Sequence, residues 1–117
     1  MTRKQIIKGN KLIAIFMVSK DGKKLEVPGM IYQQDTHDDL YIWDKDYLDE
    51  EEYKSFKYHK SWDWLMPVVY KIHILEMTPG YILKLADISL SLSKIDIDDL
   101  YLTVVKFIKW YNKQSND

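Results

Sequence analysis

Tyr81 to Ser93 reads YILKLADISLSLS, and how this stretch folds decides the architecture. Tyr81, Leu83 and Leu85 alternate on odd positions, whereas Ile88, Leu90 and Leu92 alternate on even ones with Ser89, Ser91 and Ser93 between them. A period of two is the mark of a strand with one face buried. The phase slips at Ala86-Asp87, and a one-residue slip would send an apolar row to solvent, so a turn or bulge is expected there. The stretch therefore predicts a hairpin or one long bent strand, set off from what precedes it by Pro79-Gly80. Downstream, Leu100, Val104, Phe107, Ile108 and Tyr111 form an apolar stripe at helical spacing, wide enough to cover a sheet, with Asp96 or Asp98 as its cap.

Upstream, Ser61 offers an N-cap to a second helix whose Leu65, Met66, Val69, Ile72 and His73 share a face, although Pro67 leaves its start ambiguous. Between Arg3 and Val18, Leu12, Ile13, Phe16 and Met17 define an amphipathic helix with Ile6 on the same side. Gly9 weakens its first half, so Asn10 is a candidate N-cap for a shorter version. Leu25 to Tyr32 is read as a short or bulged strand interrupted by Pro28-Gly29, and Leu40 to Trp43 as a second brief one. Asp44 to Tyr58 lacks clean periodicity and is read as mostly loop. The expected fold is α+β, with three helices packed on a small, mainly antiparallel β-sheet. Its expected core holds Leu12, Ile13, Phe16, Leu65, Val69, Ile72, Leu83, Leu85, Val104 and Ile108, joined by Phe56, Trp62 and Trp64.

The length of 117 residues suits one domain, 1–117, with an acidic, aromatic-rich insert at about 20–54. A chain that is 46% hydrophobic and 30% charged is globular in composition. No apolar run approaches a bilayer span and no secretory signal follows the N-terminus, which predicts a soluble cytoplasmic protein without membrane contact. Zero cysteines exclude disulfides, cysteine-ligated zinc, iron–sulfur clusters and thiol nucleophiles. The net charge of −1 conceals a polar layout. Residues 1–24 hold seven basic side chains against Asp21 alone, and residues 35–52 hold nine acidic ones against Lys45 alone. Such asymmetry concerns partners and encounter rates.

Candidate chemistry is sparse. His37, His59 and His73 stand in no metal-ligand spacing, and His73 is read as a hydrogen-bonded structural histidine. Asp44 to Asp49 resembles a calcium loop only faintly, since Asp49 stands where the sharp turn needs glycine. His59, Ser61 and Asp63 provide triad residue types without the motif around a nucleophilic serine. Glycine-rich phosphate loops are absent among four glycines. No catalytic residue, metal or cofactor is therefore expected. Nine of the 16 aromatic residues fall between Tyr32 and Trp64, interleaved with acids rather than with the cations that base stacking wants, so direct nucleic-acid binding is not expected. Aromatic anchors inside a charged rim suit a protein partner with a basic surface. The residues nominated for it are Trp43, Asp44, Asp46, Tyr47, Asp49, Glu50, Glu51 and Glu52.

Three stretches, NKLIAIFM (Asn10–Met17), YHKSWDWLMPVVYKI (Tyr58–Ile72) and VVKFIKWYNK (Val104–Lys113), resemble a family of small uncharacterised phage and prophage proteins of Bacteroidetes. More distantly, the order of elements is similar to the phage α/β-sandwich proteins. The resemblance implies a compact α+β fold, a phage or prophage origin and residence in the host bacterial cytoplasm, and it brings no activity with it. The combined expectation is a non-enzymatic accessory protein that binds another macromolecule, plausibly as a counter-defence inhibitor of a host nucleic-acid-binding or defence protein. The alternatives are a binder of a small ligand or nucleotide signal and a weak enzyme of unknown class. The opposed charge patches predict a monomer or a modest dimer.

Overall fold

The computed structural model describes residues 1–18, 24–28, 30–33, 48–75 and 80–115. The chain divides into two compact units, Met1–Phe56 and Lys57–Asp117. The elements are α1 (Arg3–Phe16), β1 (Lys24–Val27), β2 (Met30–Gln33), α2 (Glu50–Ser55), α3 (Trp62–Ile74), α4 (Tyr81–Ser93) and α5 (Ile97–Ser115). This overturns the expected α+β arrangement. The protein is mostly helical, and among the described residues its β structure is one two-stranded hairpin, so no sheet is available for helices to cover.

In the first unit, α1 starts seven residues earlier than Asn10 because Thr2 and Gln5 close a capping box. The Gln5 amide donates to Thr2 Oγ1 at 3.2 Å and the Thr2 amide donates to Gln5 Oε1 at 2.8 Å. Asn10 is therefore interior to the helix, fully buried, and its Nδ2 donates to the carbonyls of Tyr53 at 2.8 Å and Phe56 at 2.9 Å. Those carbonyls belong to the C-terminal end of α2, where a helix runs out of partners of its own. One amide thus clamps a six-residue helix that is too short to persist alone. Around the clamp, Gly9, Ile13, Ala14 and Phe16 of α1 are buried, and the Tyr53 ring lies edge-on to Phe56 at 5.7 Å. The segment expected to be mostly loop holds this helix because Asp49 and Glu52 supply an Asp-x-x-Glu start signal. The expected strand at 25–32 is a hairpin, pairing Leu25 with Tyr32 and Val27 with Met30 across residues 28–29, with Leu25 and Val27 buried and Glu26 exposed. The strand expected at 40–43 lies outside the described residues.

The second unit packs three helices on one another. Residues 81–93 form one helix, and this is the central correction. Ile88 and Ser91 are buried while Tyr81, Lys84, Leu85 and Leu92 are half-buried, a face recurring every three or four residues. Two alternating runs in antiphase are what a 3.6-residue period produces when sampled in twos. Leu83, expected in the core, is 75% exposed because the helical phase turns it outward. Leu12 and Leu85 are half-buried, and the remaining core set, Ile13, Phe16, Leu65, Val69, Ile72, Val104 and Ile108, is buried as expected. Phe56 and Trp64 are buried too, but Trp62 stays partly exposed in the first turn of α3.

The ends of these helices are set by local chemistry. Gly80 precedes α4 at φ 103°, a conformation that L side chains rarely adopt. The Tyr81 hydroxyl donates to the Ile72 carbonyl, joining the start of α4 to the end of α3. Just past α4, Ile95 sits at φ 51°, a left-handed position normally filled by glycine or asparagine. Asp96 Oδ1 then accepts from the amides of Asp98 at 3.0 Å and Asp99 at 3.2 Å, the expected cap of α5. Pro67 is accommodated inside α3 with its ring exposed, forfeiting one backbone bond.

Candidate interaction surface

Of the eight nominated residues, Trp43, Asp44, Asp46 and Tyr47 lie outside the described residues. The other four occupy the start of α2. Asp49 Oδ1 accepts from the Glu52 amide at 2.8 Å, so this carboxylate is committed to capping. Glu50, Glu51 and Glu52 fill the first helical turn, where negative charge is favoured by the helix dipole. Arg3 approaches Glu50 Oε2 at 3.6 Å and donates to Glu51 Oε1. The hydrogen bond and charge of Glu51, with a smaller contribution from Glu50, push the Arg3 guanidinium above its ordinary value. Local structure therefore already uses part of the acidic run, and a basic partner would compete with Arg3 for Glu50 and Glu51.

A different surface emerges on the second unit. Trp62, Met66, Tyr70 and Ile74 recur at intervals of four along α3 and all lie on its outside, with Tyr70 67% and Ile74 60% exposed. The same helix buries Trp64, Leu65, Val68, Val69 and Ile72 on its inner face. α3 is thus apolar on both sides. A sequence pattern cannot say which side of such a helix is inside: of the residues expected to share one face, Leu65, Val69 and Ile72 are buried while Met66 is exposed. His73, expected as a structural histidine, is exposed and keeps a 2.8 Å hydrogen bond between Nδ1 and the Val69 carbonyl.

Between α4 and α5 runs a groove of about 250 Å³ whose polar wall includes Lys84, Asp87, Lys94, Asp99, Thr103 and Lys106. Asp99 Oδ2 accepts from Ser91 Oγ at 2.6 Å and lies 3.6 Å from Lys94 Nζ. These contacts, the Ser91 bond foremost, hold the Asp99 carboxyl below its ordinary value. Burial pushes the hydroxyls of Tyr58 and Tyr101 above the ordinary tyrosine range, so neither exchanges a proton near neutral pH. Among the described residues no group of three or more His, Asp or Glu side chains is placed to hold a metal ion. Among them, too, no helix is long and apolar enough to cross a membrane.

Compared with protein-family models, with curated proteins and with solved structures, the chain shows no match.

Proposed function

We propose that the protein is a non-enzymatic binding protein whose partner is another protein, one that offers an apolar groove with a basic rim. The observation that carries this reading is the outward row Trp62, Met66, Tyr70 and Ile74 on α3. Large apolar side chains lose most by facing water, and aromatic residues anchor interfaces at small entropic cost. Asp63 stands exposed beside Trp62 on the same helix, and the acids opening α2, which belong to the other unit, act only through the long-range field that steers a basic partner during encounter. In this reading the acids set association rate and the α3 row sets lifetime. The finer setting, a phage or prophage accessory protein that blocks a host defence or nucleic-acid-binding protein, is drawn from the sequence resemblance and the acidic run.

The test is affinity capture from bacterial lysate with the wild type beside Tyr70→Ser/Ile74→Ser and Arg3→Gln. Both α3 positions are exposed, so the double variant keeps its melting temperature. It loses the captured protein at least tenfold. Arg3→Gln, which frees Glu50 and Glu51, accelerates association at low salt. Equal capture by wild type and the α3 double variant overturns the reading.

A second reading has one specific observation in its favour. Lys84, Lys94 and Lys106 around the α4–α5 groove suit a small anionic ligand such as a nucleotide. Thermal-shift titration with mono- and dinucleotides against Lys106→Ala decides it, since a true ligand stabilises the wild type alone.

A further inference from the structure

We propose, resting on the reading of the α4–α5 groove as an anion site, that its ligand is a small phosphorylated polyol, whose phosphate lies between Lys84 and Lys106 and whose hydroxyls face Asp87. α4 and α5 are joined by a short turn and run antiparallel, and the 2.6 Å bond from Ser91 Oγ to Asp99 Oδ2 fixes their register. Stepping back along α4 while advancing along α5 brings Asp87 level with Thr103, and Lys84 level with Lys106 and Phe107, all of which line the groove. The helical rise places the Lys84–Lys106 end about 10 Å from the Ser91–Asp99 end.

The two ends differ in how their charges are matched. At the turn end Lys94 Nζ lies 3.6 Å from Asp99 Oδ2, so that ammonium has its counter-ion. At the far end neither Lys84 nor Lys106 forms an ion pair or a side-chain hydrogen bond among the described residues. Lys84 is half-buried, so its charge is partly withdrawn from water without a counter-ion, and a second ammonium stands across the groove from it. An anion between them relieves both. Lysines act as point charges and lack the planar fork with which arginine selects a carboxylate, and a phosphate monoester carries about −1.5 to −2 charges at neutral pH, which balances two of them. The middle of the groove accepts hydrogen bonds and donates none. The Ser91 hydroxyl gives its hydrogen to Asp99 Oδ2, and the Thr103 hydroxyl gives its own to the Asp99 carbonyl at 2.8 Å. Asp87 is an exposed carboxylate with no ion pair among the described residues. The body of the ligand must therefore bring donors. Hydroxyls supply them, whereas an amine would add a cation to a groove that already holds three lysines against two aspartates. A volume of about 250 Å³ falls below the about 300–1,000 Å³ of pockets for drug-sized ligands, so it suits a sugar-sized body better than a dinucleotide. The buried Phe107 ring gives the carbon skeleton an apolar contact.

The experiment is calorimetric titration of the full chain with ribose 5-phosphate, ribose, inorganic phosphate and a nucleoside monophosphate, with melting temperature as the check on folding. Ribose 5-phosphate binds one to one and at least tenfold tighter than inorganic phosphate, and ribose alone shows no saturable binding. Lys106→Gln, at an exposed position, melts as the wild type does and weakens ribose 5-phosphate at least tenfold. Lys84→Gln weakens it by as much. Lys94→Gln removes the same charge from the turn end and changes the affinity less than threefold. Asp87→Ala separates the two halves of the ligand, because it strengthens inorganic phosphate by removing a nearby negative charge and weakens ribose 5-phosphate by removing the acceptor for its hydroxyls. Inorganic phosphate binding as tightly as the sugar phosphate, or tightening of both by Asp87→Ala, overturns the proposal and leaves a bare anion site. A loss in Lys94→Gln equal to that in Lys106→Gln overturns it as well, since net charge alone is then being read. Binding of the nucleoside monophosphate without ribose 5-phosphate overturns it while the anion-site reading stands. If no phosphorylated compound binds, both fall.

Discussion

At the scale of single residues, two polar side chains do work that their sequence neighbourhood does not announce. Asn10 is fully buried and satisfies two carbonyls from Tyr53 and Phe56. Asn10→Ala strands both acceptors and opens a small void, and the first unit loses about 2–3 kcal/mol in chemical denaturation. Asn10→Asp is worse still at neutral pH, because a carboxylate then faces two carbonyl oxygens. Asp99 gives a pH signature. Its carboxyl is held below 3.8 by Ser91 and Lys94 in the folded chain, so the folded state favours the ionised form. The stability this brings is complete above the unfolded value near pH 4 and is lost as pH falls through the folded value. Denaturation midpoints measured from pH 2 to 7 show Asp99→Asn below the wild type at neutral pH. The two curves converge in acid.

At the scale of elements, α4 carries the sharpest contrast. Ile88 is fully buried and Leu83 is 75% exposed, although both stand in alternating apolar runs. Ile88→Ala costs about 2–4 kcal/mol, whereas Leu83→Ala changes monomer stability by no more than about 0.5 kcal/mol. A strand with its odd positions inward would give the reverse order in urea melts. The end of the same helix stores strain. Ile95 at φ 51° is a β-branched residue in the left-handed region and is 81% exposed, so its side chain returns little for that conformation. Ile95→Gly raises the melting temperature, with a gain of about 1 kcal/mol in chemical denaturation. If Ile95→Gly melts lower, the side chain makes a stabilising contact there instead.

At the scale of the whole molecule, neither unit carries a large net charge. Residues 1–56 hold nine basic and eleven acidic side chains, and residues 57–117 hold eight and seven. A near-neutral surface that also exposes Tyr70, Ile74, Ile82, Leu83, Leu90 and Ile95 has little to oppose association. Solubility therefore passes through a minimum near pH 6.3 and falls further in sulfate. Ile82→Lys/Ile95→Lys, followed by turbidity across the same pH range, lifts that minimum. Unchanged turbidity places the associating surface elsewhere.

How much of this was legible in the sequence differs element by element. The stripe of α5, its cap at one of Asp96 and Asp98 and most of the buried set follow from spacing and capping chemistry, which act within a few residues, and α3 does start after Ser61, although the Ser61 side chain makes no capping hydrogen bond. The Asp49-x-x-Glu52 signal for α2 was present as well, but it was read only as a block of charge. Strands were expected at 81–93 because half of α4's surface is apolar without being buried, and an all-round apolar helix mimics alternation. Only the docking of α4 on α5 and α3 decided that Ile88 turns inward while Leu83 and Leu90 turn out. Only the fold, likewise, brought Asn10 to carbonyls more than 40 residues away and set Arg3 against Glu50 and Glu51. Propensity and periodicity are local quantities that fix which residues form an element. Which face of it meets protein is fixed by what packs against it, and that choice is made by contacts the sequence keeps far apart.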